Sequence, residues 1–190
     1  KLKKAIFNRA IDTGLKVVET ISDENGFVDV YPHMDITRNA GFFLKLKYKL
    51  YYKLVFSKVR ETMGGRFVFA CSAAGSLSAD LCKLFLSMGL IIYEGYGSTE
   101  TCNTINMNRA HRVLPGSVGP LCPGVEGYIA EDGEWCVRGN NIFLEYWNNP
   151  EATKEAFTED GYYKTGDIVE MLPEGFIKIV DRKKGLIVLD

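Results

Sequence analysis

Histidine is close to absent from this sequence. Only His33 and His111 occur in 190 residues, both in loop-like stretches, which argues against a histidine-based metal centre. The five cysteines, Cys71, Cys82, Cys102, Cys122 and Cys136, are odd in number, and no two stand in C-x-x-C spacing. That pattern argues against a disulfide framework or a zinc site and predicts free thiols in a reducing, cytoplasmic compartment. No apolar run is long enough to span a bilayer, and no secretory signal pattern occurs. Internal repeats and low-complexity tracts are missing too. A nucleic-acid partner is not expected either, because net charge is -1 and no uniformly basic face emerges.

What is present describes an ordinary globular chain, with 46% hydrophobic and 25% charged residues. Its length allows one domain or parts of two. Charge is unevenly spread: residues 1–60 carry about 12 Lys and Arg against 6 Asp and Glu, and residues 120–190 about 7 against 14. The chain opens mid-pattern on Lys1 and stops on Asp190 directly after an apolar strand, so a piece of a longer protein is expected.

Helical spacing of Ala5, Ile6, Ala10 and Ile11 predicts a helix over 1–20, interrupted at Gly14. Residues 22–41 read as a loop. A second helix is expected from Phe42 to Lys58, with Lys45, Lys49 and Lys53 on one face and Leu46, Leu50, Leu54 and Tyr51 opposite. It reads either as a surface helix packed on the core or as a basic amphipathic helix touching anionic lipid. Arg66–Ala70 and Leu90–Tyr93 read as buried strands around a helix capped by Ser78 and closed by Gly89. This βαβ unit requires parallel, neighbouring strands, with two small-residue turns at one sheet edge. Beyond Ala110, Pro and Gly punctuate short segments. Val125–Ala130 and Glu134–Arg138 form a hairpin across residues 131–133, Asn149-Pro150 starts a short helix, and Ile168–Leu172 pairs with Phe176–Val180. The expected fold class is α/β: a partial α/β sandwich with parallel strands over 1–111, a small β-rich subdomain over 112–180, and a hinge over 181–190.

Three stretches carry chemistry. Tyr96-Gly97-Ser98-Thr99-Glu100 places a ring, a hydroxyl and a carboxylate in a glycine-flanked turn after a strand. A flat ligand stacks on such a ring, the hydroxyl donates to phosphate, and the carboxylate holds a hard cation such as Mg²⁺. A plain turn with a solvated Glu is the alternative. In Tyr163-Lys164-Thr165-Gly166-Asp167, a carboxylate after a glycine at a strand start suits a ribose diol, or is an ordinary turn Asp. Asp181-Arg182-Lys183-Lys184-Gly185 reads by itself as a solvated linker run.

In order, Ser72–Ser78 (SAAGSLS), Tyr96–Glu100 (YGSTE), Gly133–Tyr146 (GEWCVRGNNIFLEY), Tyr163–Asp167 (YKTGD) and Ile179–Lys184 (IVDRKK) resemble the adenylate-forming acyl-CoA synthetase superfamily. Leu54–Gly65 and Pro173–Ile187 resemble its long-chain fatty-acid branch. The resemblance implies a portion of a ligase that activates a fatty acid with ATP to an acyl-adenylate and passes it to CoA, with Mg²⁺. By the same resemblance Ala73, Ala74 and Gly75 contact adenine through their backbone, and Tyr96 stacks on it. Gly95 and Gly97 line the passage between nucleotide and acyl chain. Thr99 contacts phosphate and Glu100 holds Mg²⁺, the two catalytic assignments. Asp167 and Arg182 take the ribose, and Lys184 is the hinge toward a C-terminal domain. The sequence departs from the pattern in two places. Ala73-Ala74-Gly75-Ser76-Leu77 stands where Gly-Gly-Ala-Pro-Leu is usual, and Val188 where many members have Lys. The phosphate loop is expected before Lys1 and the lysine-bearing domain after Asp190. Other readings are a ligase for a different acid, or a non-catalytic nucleotide-binding or membrane module that uses residues 42–58.

Overall fold

The computed structural model describes residues 2–183. Two compact units share the chain. One takes in residues up to Glu94 together with Asn108–Gly116; the other takes in Gly95–Met107 and the residues from Ser117 on. The sequence places a boundary at 111/112 and counts Gly95–Met107 with the first portion. In the structure that short segment clusters with the second unit, because β-pairing across it outweighs its position in the chain.

In the first unit, α1 (Leu2–Glu19) runs unbroken through Gly14. A Cβ there would sit 2.3 Å from the backbone oxygen of Ser87, so the glycine is a contact point for α4 (Ala79–Ser87) and not a helix break. Gly14→Ala is therefore expected to destabilise the chain by about 1–3 kcal/mol through overpacking against rigid backbone. Thermal unfolding should show a midpoint lower by roughly 3–10 °C; an unchanged midpoint contradicts the close packing.

The second helix is longer and less regular than its sequence pattern. α2 (Phe42–Tyr51) continues through a π-helical turn at Tyr52–Phe56 into α3 (Ser57–Thr62). Its buried side chains are Tyr48 and Phe56, while Leu46, Leu50 and Leu54 are about half or more exposed. The leucine face is thus not packed on this unit's core; the two aromatic rings, 5.5 Å apart, carry the contact.

Strand boundaries also move. β1 is Ala70–Ser72, and Arg66–Phe69 form no ladder, with Phe69 exposed. β2 is Ile92–Tyr96, two to three residues later than its apolar run. The reason is the partner: Ala70 pairs with Ile92 and Ser72 with Glu94, and a ladder extends only as far as both strands do. The pairing is parallel, as the βαβ pattern requires. Ser78 caps α4 by accepting from the Leu81 amide.

In the second unit, the end of β2 pairs antiparallel with β3 (Asn106–Met107). β4 (Val125–Ile129), β5 (Glu134–Gly139), β6 (Tyr163–Met171) and β7 (Ile177–Arg182) form an antiparallel sheet in chain order. Both hairpins join where the turn residues place them. The short helix α5 (Pro150–Ala156) starts on Asn149, which accepts from the Ala152 amide. Ile105, Val118, Trp135, Val137, Tyr163, Val169 and Ile177 make the core. Trp135 is almost fully buried, and its indole N–H donates to Asn106 Oδ1, so its polar atom is satisfied where its ring is packed. Ladder and bulge geometry together carry Asp167 to the middle of β6, not to a strand start as the sequence suggests.

Candidate nucleotide site

In the second unit, β2 ends on Tyr96 and the chain doubles back over residues 97–103. A Cβ on Gly97 would sit 1.4 Å from the Asn103 carbonyl oxygen. The missing side chain is therefore required by the turn itself, whatever else passes there. Thr101 locks the turn, accepting from the Ser98 amide and donating to the Asn103 carbonyl. Thr99 is left exposed and Glu100 half-buried. Phe143 N–H donates to the Glu100 carbonyl, and the Tyr146 hydroxyl donates to Glu100 Oε1 at 3.0 Å. Burial opposes ionisation of Glu100, but its own amide, the Tyr146 hydroxyl and the Arg182 charge outweigh it and hold its pKa below the usual range. The side chain is a fixed anion at neutral pH.

Asp167 is 6% exposed. Its Oδ2 accepts from the Tyr96 hydroxyl at 2.5 Å, and its Oδ1 lies 3.2 Å from Arg182 Nε on the neighbouring strand. Burial, and then the Asp167 carboxylate, push the Tyr96 pKa well up, so the phenol stays a donor to Asp167. A carboxylate has about four lone-pair sites, so these partners leave capacity for ligand hydroxyls.

Beside these groups lies an open cleft of about 1240 Å³, lined by Ser98, Glu100, Tyr146, Trp147, Gly166 and Arg182 among others. Tyr96 and Asp167 are not in its lining; Gly166, next to Asp167, is. One wall carries the Glu100 anion, and another carries the Arg182 cation, whose side chain is 73% exposed.

Among the described residues no three His, Cys, Asp or Glu side chains group to hold a metal by themselves. A lone ionised carboxylate nevertheless fits Mg²⁺, which takes one or two carboxylates together with substrate phosphates.

The first unit holds the other expected contacts. Ala73, Ala74 and Gly75 form an exposed loop after β1. Ala74 has φ 68°, a left-handed conformation that costs an alanine about 1–2 kcal/mol relative to glycine, the residue the resemblance makes usual there. Glu94, in β2, is 4% exposed; its Oε1 accepts from the Leu77 amide at 2.7 Å and fixes the far end of that loop. Its Oε2 is buried without a partner among the described residues, and burial raises its pKa against the lowering effect of the Leu77 bond. Glu94 and Tyr146 are absent from the sequence-based site. Tyr146 ends the Gly133–Tyr146 stretch and Glu94 stands two residues before Tyr96–Glu100, yet only the folded partner gives each a role. Lys184 and Val188 lie outside the described residues.

A family model described as "AMP-binding enzyme" matches residues 29–147. The long-chain-fatty-acid–CoA ligase FadD15 of Mycobacterium bovis is 41% identical over 148 residues, covering 78% of this chain and 24% of that protein. The peroxisomal long chain acyl-CoA synthetase 7 of Arabidopsis thaliana is 40% identical over 149 residues, covering 70% and 21%. Among solved structures, apo MatB from Rhodopseudomonas palustris is similar with a TM-score of 0.59 and 31% identity, covering 71% of this chain and 30% of that one. The chain thus spans about a quarter of the length of the curated relatives it matches.

Proposed function

The chain belongs to the AMP-binding enzyme family, and we propose that the full protein to which it belongs is an AMP-forming long-chain fatty-acid–CoA ligase. In this reaction the fatty carboxylate attacks the α-phosphorus of ATP, the bond to the β-phosphate oxygen breaks, and pyrophosphate leaves. The CoA thiol then attacks the acyl carbon, loses its proton, and displaces AMP. Adenylation exchanges an oxide leaving group for a phosphate monoester. The chain's part is to position the nucleotide and counter its charge.

Asp167 carries this reading. It is a buried carboxylate, flanked by a phenol and an arginine, in a segment where the resemblance expects the ribose. Arg182 joins it at the ribose, Tyr96 supplies the adenine-stacking ring, and Ala73, Ala74 and Gly75 supply backbone to the base. Gly95 and Gly97 border the acyl passage. Thr99 donates to phosphate, and Glu100 holds Mg²⁺, which when bound neutralises phosphate charge. The cytoplasm suits the five free thiols. The purified full protein, given ATP, Mg²⁺, palmitate and CoA, should yield AMP, pyrophosphate and palmitoyl-CoA by mass spectrometry. Turnover with benzoate but not palmitate would replace the fatty acid by an aryl acid.

A second reading concerns peripheral contact with anionic membrane through residues 42–58. The exposed Phe42, Phe43, Leu46, Leu50 and Leu54 support it, together with the predicted lysine face, of which Lys49 and Lys53 are exposed and Lys45 half-buried. Each lysine near such a surface contributes about 1 kcal/mol. Changing these three to Glu should abolish co-sedimentation of the full protein with phosphatidylserine vesicles at low salt. Undiminished binding removes this reading.

A further inference from the structure

We propose that Glu134 and Lys183 are positioning residues that set the Asp167–Arg182 pair for the nucleotide, an inference that rests on the ribose reading above. The backbone carrying this pair is irregular. β5–β6 register shifts between Glu134 and Cys136, and β6–β7 register shifts between Ile168 and Val169. Bulges of this kind re-aim side chains, and they need local bonds to hold one geometry. Gly166, immediately before Asp167, has φ 75°. Both of its backbone polar groups are held by the two residues in question. Glu134 Oε1 accepts from Gly166 N–H at 2.8 Å, and the Lys183 amide donates to the Gly166 carbonyl at 2.8 Å. The two residues are also tied to each other, because Lys183 Nζ donates to Glu134 Oε2 at 2.7 Å and to Asp132 at the hairpin tip.

Glu134 is 5% exposed, an expensive place for a carboxylate unless both oxygens are used, and here they are. Lys183 comes directly after Arg182, so the ion pair anchors the end of β7 at the point from which Arg182 reaches Asp167. The clamp thus grips the residue before the ribose carboxylate and the residue after the ribose arginine. Among the described residues no side-chain hydrogen bond or ion pair joins either clamp residue to Asp167 or Arg182; the link runs through the Gly166 backbone. Lys183 is consequently no linker charge, despite its place in a run of cations.

The test uses the full protein and two nucleotides, ATP and 2′,3′-dideoxy-ATP, with dissociation constants measured by calorimetry. Lys183→Met and Glu134→Gln should each weaken ATP about threefold to tenfold. They should weaken dideoxy-ATP little, so that discrimination between the two shrinks. Lys183→Arg, which keeps the ion pair, should restore it. KM for ATP should rise by more than kcat falls. Lys183 is half-exposed, so its variants are expected to fold even if Glu134→Gln does not. If Asp167→Ala collapses the discrimination while Lys183→Met leaves it intact, the clamp is overturned and the ribose reading stands. If Asp167→Ala itself leaves discrimination intact, the ribose reading fails and the clamp proposal with it.

Discussion

Replacing Glu100 by Gln in the full protein is expected to lower fatty-acid-dependent pyrophosphate exchange by about a hundredfold at saturating ATP. Gln keeps the shape and can still accept from the Tyr146 hydroxyl, which sits 3.0 Å from Oε1. What it loses is the negative charge. The surroundings of Glu100 are arranged to keep that charge, since its amide, the Tyr146 phenol and the Arg182 cation hold its pKa down against burial. A turn residue has no need of such support. The charge matters most when negative charge shifts toward the leaving pyrophosphate, so the rate should suffer more than ATP affinity. Exchange at the wild-type rate would make Glu100 a structural turn residue.

Asp167→Ala should weaken ATP binding by roughly tenfold to a hundredfold, the range for hydrogen bonds to a charged acceptor of about 1.5–3 kcal/mol. Part of that loss is indirect. The Tyr96 phenol would be left half-buried without its 2.5 Å acceptor, and Arg182 without its partner. Tyr96 would then turn, so the adenine platform and the ribose contact should fail together. Asp167→Asn, which can still accept from Tyr96, should lose less. Titration of ATP into the three forms separates these contributions, and equal dissociation constants would reject the ribose role.

The range of the forces involved decides how much of the fold and the site is legible in the sequence. Turn and cap chemistry is local, so the hairpin across residues 131–133, the Ser78 cap and the Asn149-Pro150 helix start all stand where the residues place them. The parallel β1–β2 pairing is set by the length of the connection. The buried face of α2 is not legible, because a leucine every fourth residue marks a helix stripe without saying what covers it. In the structure Tyr48 and Phe56 are buried, and the π-helical turn that starts at Tyr52 shifts the phase of the residues after it. Val68 and Phe69 have strand-type side chains but no partner strand among the described residues. The residue types of the candidate site are readable, with Tyr96, Glu100 and Asp167 each suited to the role proposed for it. The bond from Tyr96 to Asp167 spans 71 residues, and no local pattern encodes it. The same holds for Glu134, which reads as a hairpin strand residue until Gly166 and Lys183 are seen on its two oxygens.

The role proposed for Asp167 is to bind the ribose of a nucleotide. The most direct measurement is the ratio of the dissociation constants of 2′,3′-dideoxy-ATP and ATP, in the wild-type full protein and in Asp167→Ala. Wild type should prefer ATP by about tenfold or more, and the variant should bind both nucleotides alike, with ATP weakened to the level of the dideoxy compound. A variant that keeps the wild-type ratio would contradict the account.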